Sequence, residues 1–174
     1  MKKLEDYVIT IPDFPKPGIM FRDITGILDD ADGVALAIDE LRKVLGYLDF
    51  DVIAGAESRG FMLGMPLAYL LHKPFVPIRK KGKLPRETIS ETYDLEYGQA
   101  TIEIHKDSIK PNQKVVLIDD LIATGGTLKA SVDLIERCGG EVVKILALLE
   151  LKGLNGRELL KGYDVETIIQ YEGK

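Results

Sequence analysis

The sequence predicts an α/β domain with a mostly parallel central sheet flanked by helices. Short apolar runs alternate along the chain with helix-compatible segments, which is the order typical of parallel sheets. The run at residues 115–118 ends in two adjacent acids and a glycine-rich turn, as a parallel strand does when it brings charged groups to the C-terminal edge of a sheet. A length of 174 residues fits a single domain, to which we assign residues 1–174.

The N-terminal segment predicts a short turn, an extended arm and a helix, in that order. Residues 5–7 can begin a helical turn. Three prolines within residues 10–18 require an extended arm or a turn. Residues 31–48 carry apolar side chains at three- and four-residue steps, which predicts an amphipathic helix.

A buried strand, a helix and a second strand follow. Residues 51–56 are short and apolar and predict the buried strand, which breaks into a polar turn at residues 57–60. Residues 61–71 predict a helix with a local distortion at Pro66, because proline lacks the amide hydrogen that a helix interior needs. Residues 74–79 predict the second strand.

Residues 80–98 differ from the rest of the chain. They are rich in Lys, Glu, Thr and Ser, contain Pro85 and have no clear period. A segment of this length without a core-facing side is typical of a functional flap or of disorder. Alternation of apolar and polar residues returns at residues 100–105, which predicts a half-exposed strand.

The C-terminal half predicts the central strand and the elements around it. Residues 115–118 are the buried strand, and residues 127–137 are the helix after it. Gly139 and Gly140 end that helix, since glycine is common at helix C-termini. Two further segments predict strands, residues 142–149 and residues 165–170.

The composition argues against several classes of protein. The net charge of −5 leaves no overall basic field that would recruit nucleic acid. Cys138 is the only cysteine, so no disulfide can form within the chain. The N-terminal residues include acids and prolines where a signal peptide needs an apolar core, and no apolar run reaches the ~20 residues that span a bilayer. We therefore expect a cytoplasmic protein without a membrane partner.

The acids and the turn after residues 115–118 suit a sugar that carries a phosphate. Asp119 and Asp120 are acceptor-only groups, suited to the hydroxyls of a ribose or to water around a cation. If the strand continued through them, their side chains would point to opposite faces. The turn presents backbone N–H groups at the start of a helix, where the helix dipole favours an anion. It consists of Ala123, Thr124, Gly125, Gly126 and Thr127.

Other readings of this turn are weaker. A glycine turn alone is also typical of a capped helix with acids on the surface, but two adjacent acids that end a buried strand argue against that interpretation. The turn lacks the lysine of a P-loop and the glycine spacing of a dinucleotide-binding fold. The residues alone therefore indicate a phosphorylated sugar and no particular reaction.

The string from Val115 to Thr127 resembles the phosphoribosyl diphosphate (PRPP) motif of the type I phosphoribosyltransferases. The resemblance implies that residues 123–127 hold the 5′-phosphate and that Asp119 and Asp120 contact the ribose. It further implies a small N-terminal hood at about residues 1–28 and a flexible catalytic loop at about residues 79–98.

Further motifs resemble the adenine-specific members of that family. They are residues 14–25, 54–61, 79–85 and 93–98. The resemblance implies that Phe21 and Leu121 sandwich the purine ring, which apolar faces of their size could do. It also implies that the backbone around Met20 and Arg22 reads the edge of adenine.

The same resemblance assigns basic residues to the leaving diphosphate. Arg59 would meet it with a forked donor, and Lys83 would close over it. Lys80 and Lys81 stay open between a substrate contact and a solvated loop, because a basic run on a surface loop needs no ligand to explain it.

The end of the loop carries the residue expected to handle the proton of the purine. The resemblance implies that Glu96 accepts or shares the purine proton once the loop closes, and that Tyr97 steadies the closed loop. The expected reaction transfers the phosphoribosyl group of PRPP to adenine and gives AMP and diphosphate. Mg²⁺ would be bound mainly through PRPP oxygens, without dedicated metal ligands.

Three further expectations concern assembly and function. The resemblance implies a homodimer, and the apolar helix at residues 61–71 could supply its contact, although a core helix would look the same. A non-catalytic PRPP-sensing regulator is one alternative function. A phosphoribosyltransferase of the same fold that acts on xanthine or another base is the other.

Overall fold

The computed structural model describes residues 2–94 and 98–173, which form two sheets with helices between their strands. The strands are β1 (Ile9–Pro12), β2 (Met20–Asp23), β3 (Val52–Ala56), β4 (Phe75–Lys80), β5 (Thr88–Asp94), β6 (Gln99–His105), β7 (Lys114–Ile122), β8 (Glu141–Leu151) and β9 (Val165–Tyr171). The α-helices are α1 (Thr25–Leu28), α2 (Ala31–Leu45), α3 (Arg59–Leu70) and α4 (Gly126–Arg137). Short 3₁₀ segments lie at Leu4–Tyr7, Lys152–Leu154 and Gly156–Leu160. None of the helices in the described ranges is long and apolar enough to cross a bilayer.

The main sheet has seven strands in the order β5-β6-β4-β3-β7-β8-β9. Five neighbouring strands are mutually parallel: β4, β3, β7, β8 and β9. β6 runs antiparallel to β4, and β5 runs antiparallel to β6. The predicted α/β class with a mostly parallel sheet is therefore confirmed. The antiparallel pair forms one edge of the sheet.

Helices cover both faces of this sheet. In β7, Val115 and Leu117 pack with the apolar side of α4, and Val116 and Ile118 pack with α2 and α3. Both apolar sets are fully buried because side chains alternate between the two faces of a strand. This double burial explains why the strand is a continuous apolar run in the sequence.

The chain order around β3 creates a crevice at one end of the sheet. From β3 the chain continues to β4 on one side, whereas β7 lies on the other side and continues to β8. Neighbouring strands whose connections leave in opposite directions form a topological switch point, and ligands of open α/β sheets bind outside the carboxyl ends of the strands there. In this molecule the switch point lies between β3 and β7, just after Ala56 and beside Asp119 and Asp120.

The N-terminal arm folds into a separate two-stranded sheet. β1 pairs antiparallel with β2, and Phe14 in the connecting turn packs edge-on against Phe21 at a centroid distance of 5.1 Å. The arm was expected to be extended or turned, and it is both. β1 is exposed along its whole length, whereas β2 is half-buried except for Met20, which is 41% exposed.

Three elements differ from the sequence-based expectations. The helix predicted for residues 31–48 ends at Leu45, because Gly46 adopts a positive φ of 50°. The central strand, predicted to end at Ile118, continues through both acids to Ile122. Residues 88–94, expected to lack a core-facing side, form β5, which pairs with β6 and turns Ile89 and Tyr93 toward the core.

Candidate active site

A cleft of about 440 Å³ opens at the carboxyl ends of β3, β4 and β7. It therefore lies at the switch point of the sheet. Its lining combines polar groups with a small apolar wall from β6. The lining residues are Ala56, Glu57, Ser58, Arg59, Lys80, Tyr93, Ala100, Ile102, Asp119, Asp120, Leu121, Ala123 and Thr127.

The two acids of β7 both line this cleft, although the strand continues through them. Both side chains are buried, and the amide of Asp120 donates a 2.8 Å hydrogen bond to Oδ1 of Asp119. Burial, and then the repulsion from Asp120, raise the pKa of the Asp119 carboxyl well above its ordinary value. A cation or a hydrogen-bond donor beside Asp119 would therefore stabilise its ionised carboxylate.

Arg59 supplies a positive charge beside the acids. It is the first residue of α3, and its Nε lies 2.7 Å from Oδ2 of Asp120. The Arg59 side chain is 43% exposed, so it faces the open part of the cleft. The peptide bond that precedes this turn, between Glu57 and Ser58, is cis. Arg59 and Asp120 therefore lie in contact within one cleft, and their roles toward a substrate stay predictions.

The glycine turn forms a small hollow next to the cleft. The hollow measures about 60 Å³ and is lined by residues 121–128 except Ile122. Gly125 adopts a φ of 83°, which a residue with a side chain rarely adopts, and α4 begins at Gly126. Backbone amides at the start of a twelve-residue helix are a favourable place for an anion. The glycine turn therefore lies next to the acids at the start of α4, and its role as an anion site stays a prediction.

Tyr93 is a site residue to which the sequence analysis assigned no role of its own. It ends the inward-facing side of β5, lines the cleft, and its hydroxyl lies 3.0 Å from Oγ1 of Thr127. Its ring also packs against Gly126, where an added Cβ would lie 3.1 Å from Cδ2 of Tyr93. The sequence signal for this strand is the alternation of Ile89, Glu91 and Tyr93 at every second position. The signal is weak because most residues of the segment are polar.

Glu57 organises the other wall of the cleft and was also missed. Its carboxylate accepts hydrogen bonds from Nε of Arg79 at 3.2 Å and from the amide of Lys80 at 2.9 Å. Burial raises the pKa of Glu57, but these hydrogen bonds outweigh burial and leave the pKa below its ordinary value. Glu57 therefore stays ionised and holds the end of β4 against the Arg59 turn.

The three lysines of the flap differ in position. Lys80 lines the cleft, whereas Lys81 and Lys83 are exposed and lie outside its lining. The carbonyl of Lys83 accepts a 3.3 Å hydrogen bond from Arg79, so its backbone is tied to the same wall. The prediction favoured Lys83 as the lysine that contacts substrate, and in this geometry Lys80 is nearer to the cleft.

The predicted base-binding residues are divided between two elements. Leu121 follows the acids on β7 and lines both the cleft and the glycine hollow. Met20, Phe21 and Arg22 lie in β2, outside the residues that line the cleft, and Arg22 stacks on the ring of Tyr171 at 4.0 Å. The charge of Arg59 contributes, after hydrogen bonds from Thr25, to a lowered pKa of Asp23, so the end of β2 is electrostatically close to the site.

Two predictions fall where the structure gives no description. Glu96 and Tyr97 lie outside the described residues, and their proposed roles stay predictions. No group of three or more His, Cys, Asp or Glu side chains in residues 2–94 and 98–173 is arranged to hold a metal ion.

Comparison with known proteins assigns a family to this cleft. Residues 24–172 match the family model described as "Phosphoribosyl transferase domain". A curated adenine phosphoribosyltransferase from Agathobacter rectalis is 68% identical over 174 residues, which is 100% of both chains. A crystal structure of adenine phosphoribosyltransferase from Thermoanaerobacter pseudethanolicus superposes with a TM-score of 0.93 at 50% identity, over 97% of this chain and 100% of that one.

A more distant structure shows ligands in the same fold. The adenine phosphoribosyl transferase of Trypanosoma brucei, solved in complex with AMP, pyrophosphate and ribose-5-phosphate, has a TM-score of 0.87 and 29% identity over 96% of this chain and 78% of that one. The match to the family model and the identity over the full length agree with the geometry of the cleft. The chain therefore belongs to the phosphoribosyltransferase family, and within it to the adenine phosphoribosyltransferases.

Proposed function

We propose that the cleft transfers the phosphoribosyl group of PRPP to adenine, which gives AMP and diphosphate, with separate residues for the 5′-phosphate, the diphosphate and the base. The observation that carries this proposal is the meeting of the acid pair, Arg59 and the glycine turn at one switch-point cleft. A phosphorylated sugar needs these three groups together: an anion-binding turn, acceptors for its hydroxyls and a cation for the leaving group.

The 5′-phosphate and the ribose belong at the β7–α4 junction. The hollow formed by Ala123, Thr124, Gly125, Gly126 and Thr127 would accept the phosphate through backbone amides and threonine hydroxyls. Asp119 and Asp120, which precede it on the same strand, would accept hydrogen bonds from the ribose hydroxyls. Because the strand fixes both groups, C1′ would be held at a defined position in the cleft.

The diphosphate belongs at the opposite wall. Arg59 has guanidinium nitrogens beyond the Nε that contacts Asp120, and these would bind diphosphate oxygens as the bond to C1′ breaks. Lys80 adds charge from the cleft lining, and Lys83 would approach from the flap. Fixed positive groups that face the leaving group lower the barrier because negative charge develops there.

Mg²⁺ fits this donor set. The cleft presents two adjacent buried carboxylates, and burial followed by repulsion from Asp120 raises the pKa of Asp119, which a nearby cation would offset. Mg²⁺ prefers hard oxygen ligands and usually keeps several water molecules, so it would be held by PRPP oxygens with Asp119 and Asp120 contacting it through water. The ion would neutralise charge on the departing diphosphate.

Adenine belongs against Leu121, with Phe21 proposed as the second apolar face and the backbone of Met20 and Arg22 as the reader of its edge. The charge of Arg59, which contributes after the hydrogen bonds from Thr25 to the lowered pKa of Asp23 at the end of β2, supports this role for the strand. Glu96 would take or share the proton of the attacking purine, and Tyr97 would steady the closed loop. Closure would also exclude water that competes for the sugar cation.

A homodimer contact is proposed on α3. Met62, Met65 and Tyr69 occupy one side of this helix at three- and four-residue spacing and are each at least half exposed. Apolar side chains exposed side by side are typical of a protein–protein contact. The lone thiol of Cys138 fits a reducing compartment, which supports the proposed cytoplasmic location.

A base screen tests the proposed function. Purified protein is incubated with PRPP, Mg²⁺ and one base at a time, and both nucleotide and diphosphate are measured. We expect AMP from adenine and no nucleotide from hypoxanthine, guanine or xanthine. Turnover of one of those bases in place of adenine would contradict the assignment, and binding of PRPP without release of diphosphate with any base would favour a regulator.

A further inference from the structure

A 3₁₀ segment that follows β8 packs directly on the glycine turn. An added Cβ at Gly156 would collide with the carbonyl oxygen of Ala123 and lie 3.0 Å from the amide nitrogen of Gly125. A Cβ at Gly125 would in turn collide with the carbonyl oxygen of Gly156. Two backbones therefore lie in contact with no side chain between them, and only a glycine at each position permits this approach.

The next residue anchors this segment to the sheet. Arg157 donates from Nε and Nη2 to the carboxylate of Glu150 at 2.8 Å each, and from Nη1 to the carbonyl of Val165 at 2.9 Å. Glu150, which is only 3% exposed at the end of β8, also accepts a 3.0 Å hydrogen bond from Thr167. A forked arginine–carboxylate contact with further hydrogen bonds on both partners fixes orientation as well as distance.

The charge state of the anchor supports a fixed geometry. Burial raises the pKa of Glu150, but hydrogen bonds from Arg157 and Thr167 outweigh burial and leave the pKa below its ordinary value. The pair therefore stays charged at neutral pH. A buried carboxylate that lost Arg157 would be left without its main partner, which is why the anchor resists displacement.

We propose that Gly156, held by the Glu150–Arg157 pair, is a positioning element for the 5′-phosphate turn. This role rests on the proposed function, since it takes the turn at residues 123–127 as the phosphate cradle. Gly156 does not face the cleft; it supports the cradle from behind, where it sets the direction of the Gly125 amide. A preorganised turn binds phosphate without first having to order its own backbone.

The proposal predicts a selective loss of affinity. Gly156→Ala pushes Ala123 and Gly125 away from their positions, so ligands that carry a 5′-phosphate should bind more weakly, whereas diphosphate, which belongs at the Arg59 wall, should not. We expect dissociation constants for ribose 5-phosphate and AMP to rise at least tenfold and the constant for diphosphate with Mg²⁺ to change less than twofold. Gly173→Ala is the matched control, because nothing lies within 4 Å of an added Cβ there.

A second variant keeps the test decisive if Gly156→Ala does not fold. Arg157→Lys preserves the charge but cannot make the forked contact, and it should weaken ribose 5-phosphate at least threefold with diphosphate unchanged. Equal weakening of both ligands, or unchanged affinity for ribose 5-phosphate in a folded variant, would overturn the proposal. Loss of adenine turnover in the unmodified protein would instead refute the proposed function, and the two failures are thus distinguishable.

Discussion

The hydroxyl of Tyr93 lies 3.0 Å from Oγ1 of Thr127, and this contact joins the strand before residues 95–97 to the glycine turn at the start of α4. The proposed phosphate site and the proposed catalytic loop are therefore mechanically connected. Thr127, which we propose contacts the phosphate, meets the end of β5 through this hydrogen bond, and the neighbouring Gly126 packs on the ring of Tyr93. We therefore expect Tyr93 to couple binding of the sugar phosphate to the position of the end of β5.

Tyr93→Phe tests this connection. The variant keeps the ring that packs on Gly126 and removes only the hydroxyl, so the loss should be that of one hydrogen bond, about 0.5–1.5 kcal/mol. We expect the KM for PRPP to rise about two- to twelvefold, with kcat within about twofold. Steady-state kinetics with varied PRPP at saturating adenine measure both quantities.

Tyr163→Phe is the matched control for that experiment. The hydroxyl of Tyr163 likewise makes one side-chain hydrogen bond, which it donates to Glu136 at 2.8 Å, but Tyr163 lies outside the residues that line the cleft. Its loss should leave the KM for PRPP unchanged. An equal effect of the two variants would mean that the Tyr93 contact has no specific role in substrate binding.

Local patterns predicted the central elements of the fold well. Strands β3, β7 and β8 are apolar because both of their faces are buried, and the turn at Gly125 carries its own signal, since a positive φ selects glycine. Helix α4 and the glycine turn before it could therefore be located from their residues alone. Asp119 and Asp120 also lie where the pattern predicts them, near the carboxyl end of β7 and next to this turn.

Relationships that depend on distant partners could not be predicted. One side of β5 is half-buried because β6 pairs with the strand and α4 packs against it, although the residues of β5 are mostly polar. The contact of Tyr93 with Thr127 spans 34 residues, and no local period encodes it. The hydrogen bonds of Glu57 to Arg79 and Lys80 likewise arise from the parallel pairing of β3 with β4.

Lys80 and Lys81 provide a test of which flap lysine contacts the diphosphate. Lys80 lines the cleft and Lys81 does not, although they are adjacent and both exposed. A charged hydrogen bond is worth about 1.5–3 kcal/mol, so Lys80→Met should weaken diphosphate binding about tenfold or more. Lys81→Met should change it less than twofold. Calorimetric titration of each variant with diphosphate in the presence of Mg²⁺ measures these affinities. If Lys81→Met weakened binding more than Lys80→Met, Lys80 would be excluded as the lysine that contacts diphosphate.

Glu96→Gln tests proton handling by the loop. A glutamine retains the size and a hydrogen-bonding oxygen but cannot accept the purine proton, and general base catalysis is worth about 10²–10⁴-fold. We expect kcat to fall at least about a hundredfold while the KM for PRPP changes by less than threefold. Glu87→Gln, which alters an exposed acid paired with Lys106, is the control. Full kcat in the Glu96 variant would rule out this role.

A charge placed on the exposed face of α3 tests the proposed dimer contact. Tyr69 is 84% exposed beside Met65, so Tyr69→Glu should place an unpaired charge in the proposed contact between subunits. The dimer dissociation constant, measured by analytical ultracentrifugation, should rise at least tenfold. Tyr47→Glu changes a fully exposed tyrosine just after α2 and should leave the constant unaltered. A dimer that tolerates Tyr69→Glu would place the contact elsewhere.

Asp119→Asn should stabilise the fold while it impairs catalysis. Burial and Asp120 raise the pKa of Asp119, so the folded state binds its proton more tightly than the unfolded state, and stability falls as pH rises from the unfolded value of 3.8 toward the folded one. Above the folded pKa, the full free-energy cost of burying the ionised Asp119 carboxylate remains. Asparagine removes this cost because it carries no charge, and its side-chain oxygen can still accept the hydrogen bond from the Asp120 amide. At pH 7 we expect a higher Tm, by at least about 2 °C, since about 1 kcal/mol shifts Tm by roughly 2–4 °C in a domain of this size. The gain should shrink as the pH is lowered toward 4, and Asp107→Asn, at an exposed ion pair, should show no such gain. A Tm difference that did not depend on pH would show that the ionised carboxyl of Asp119 is not its source.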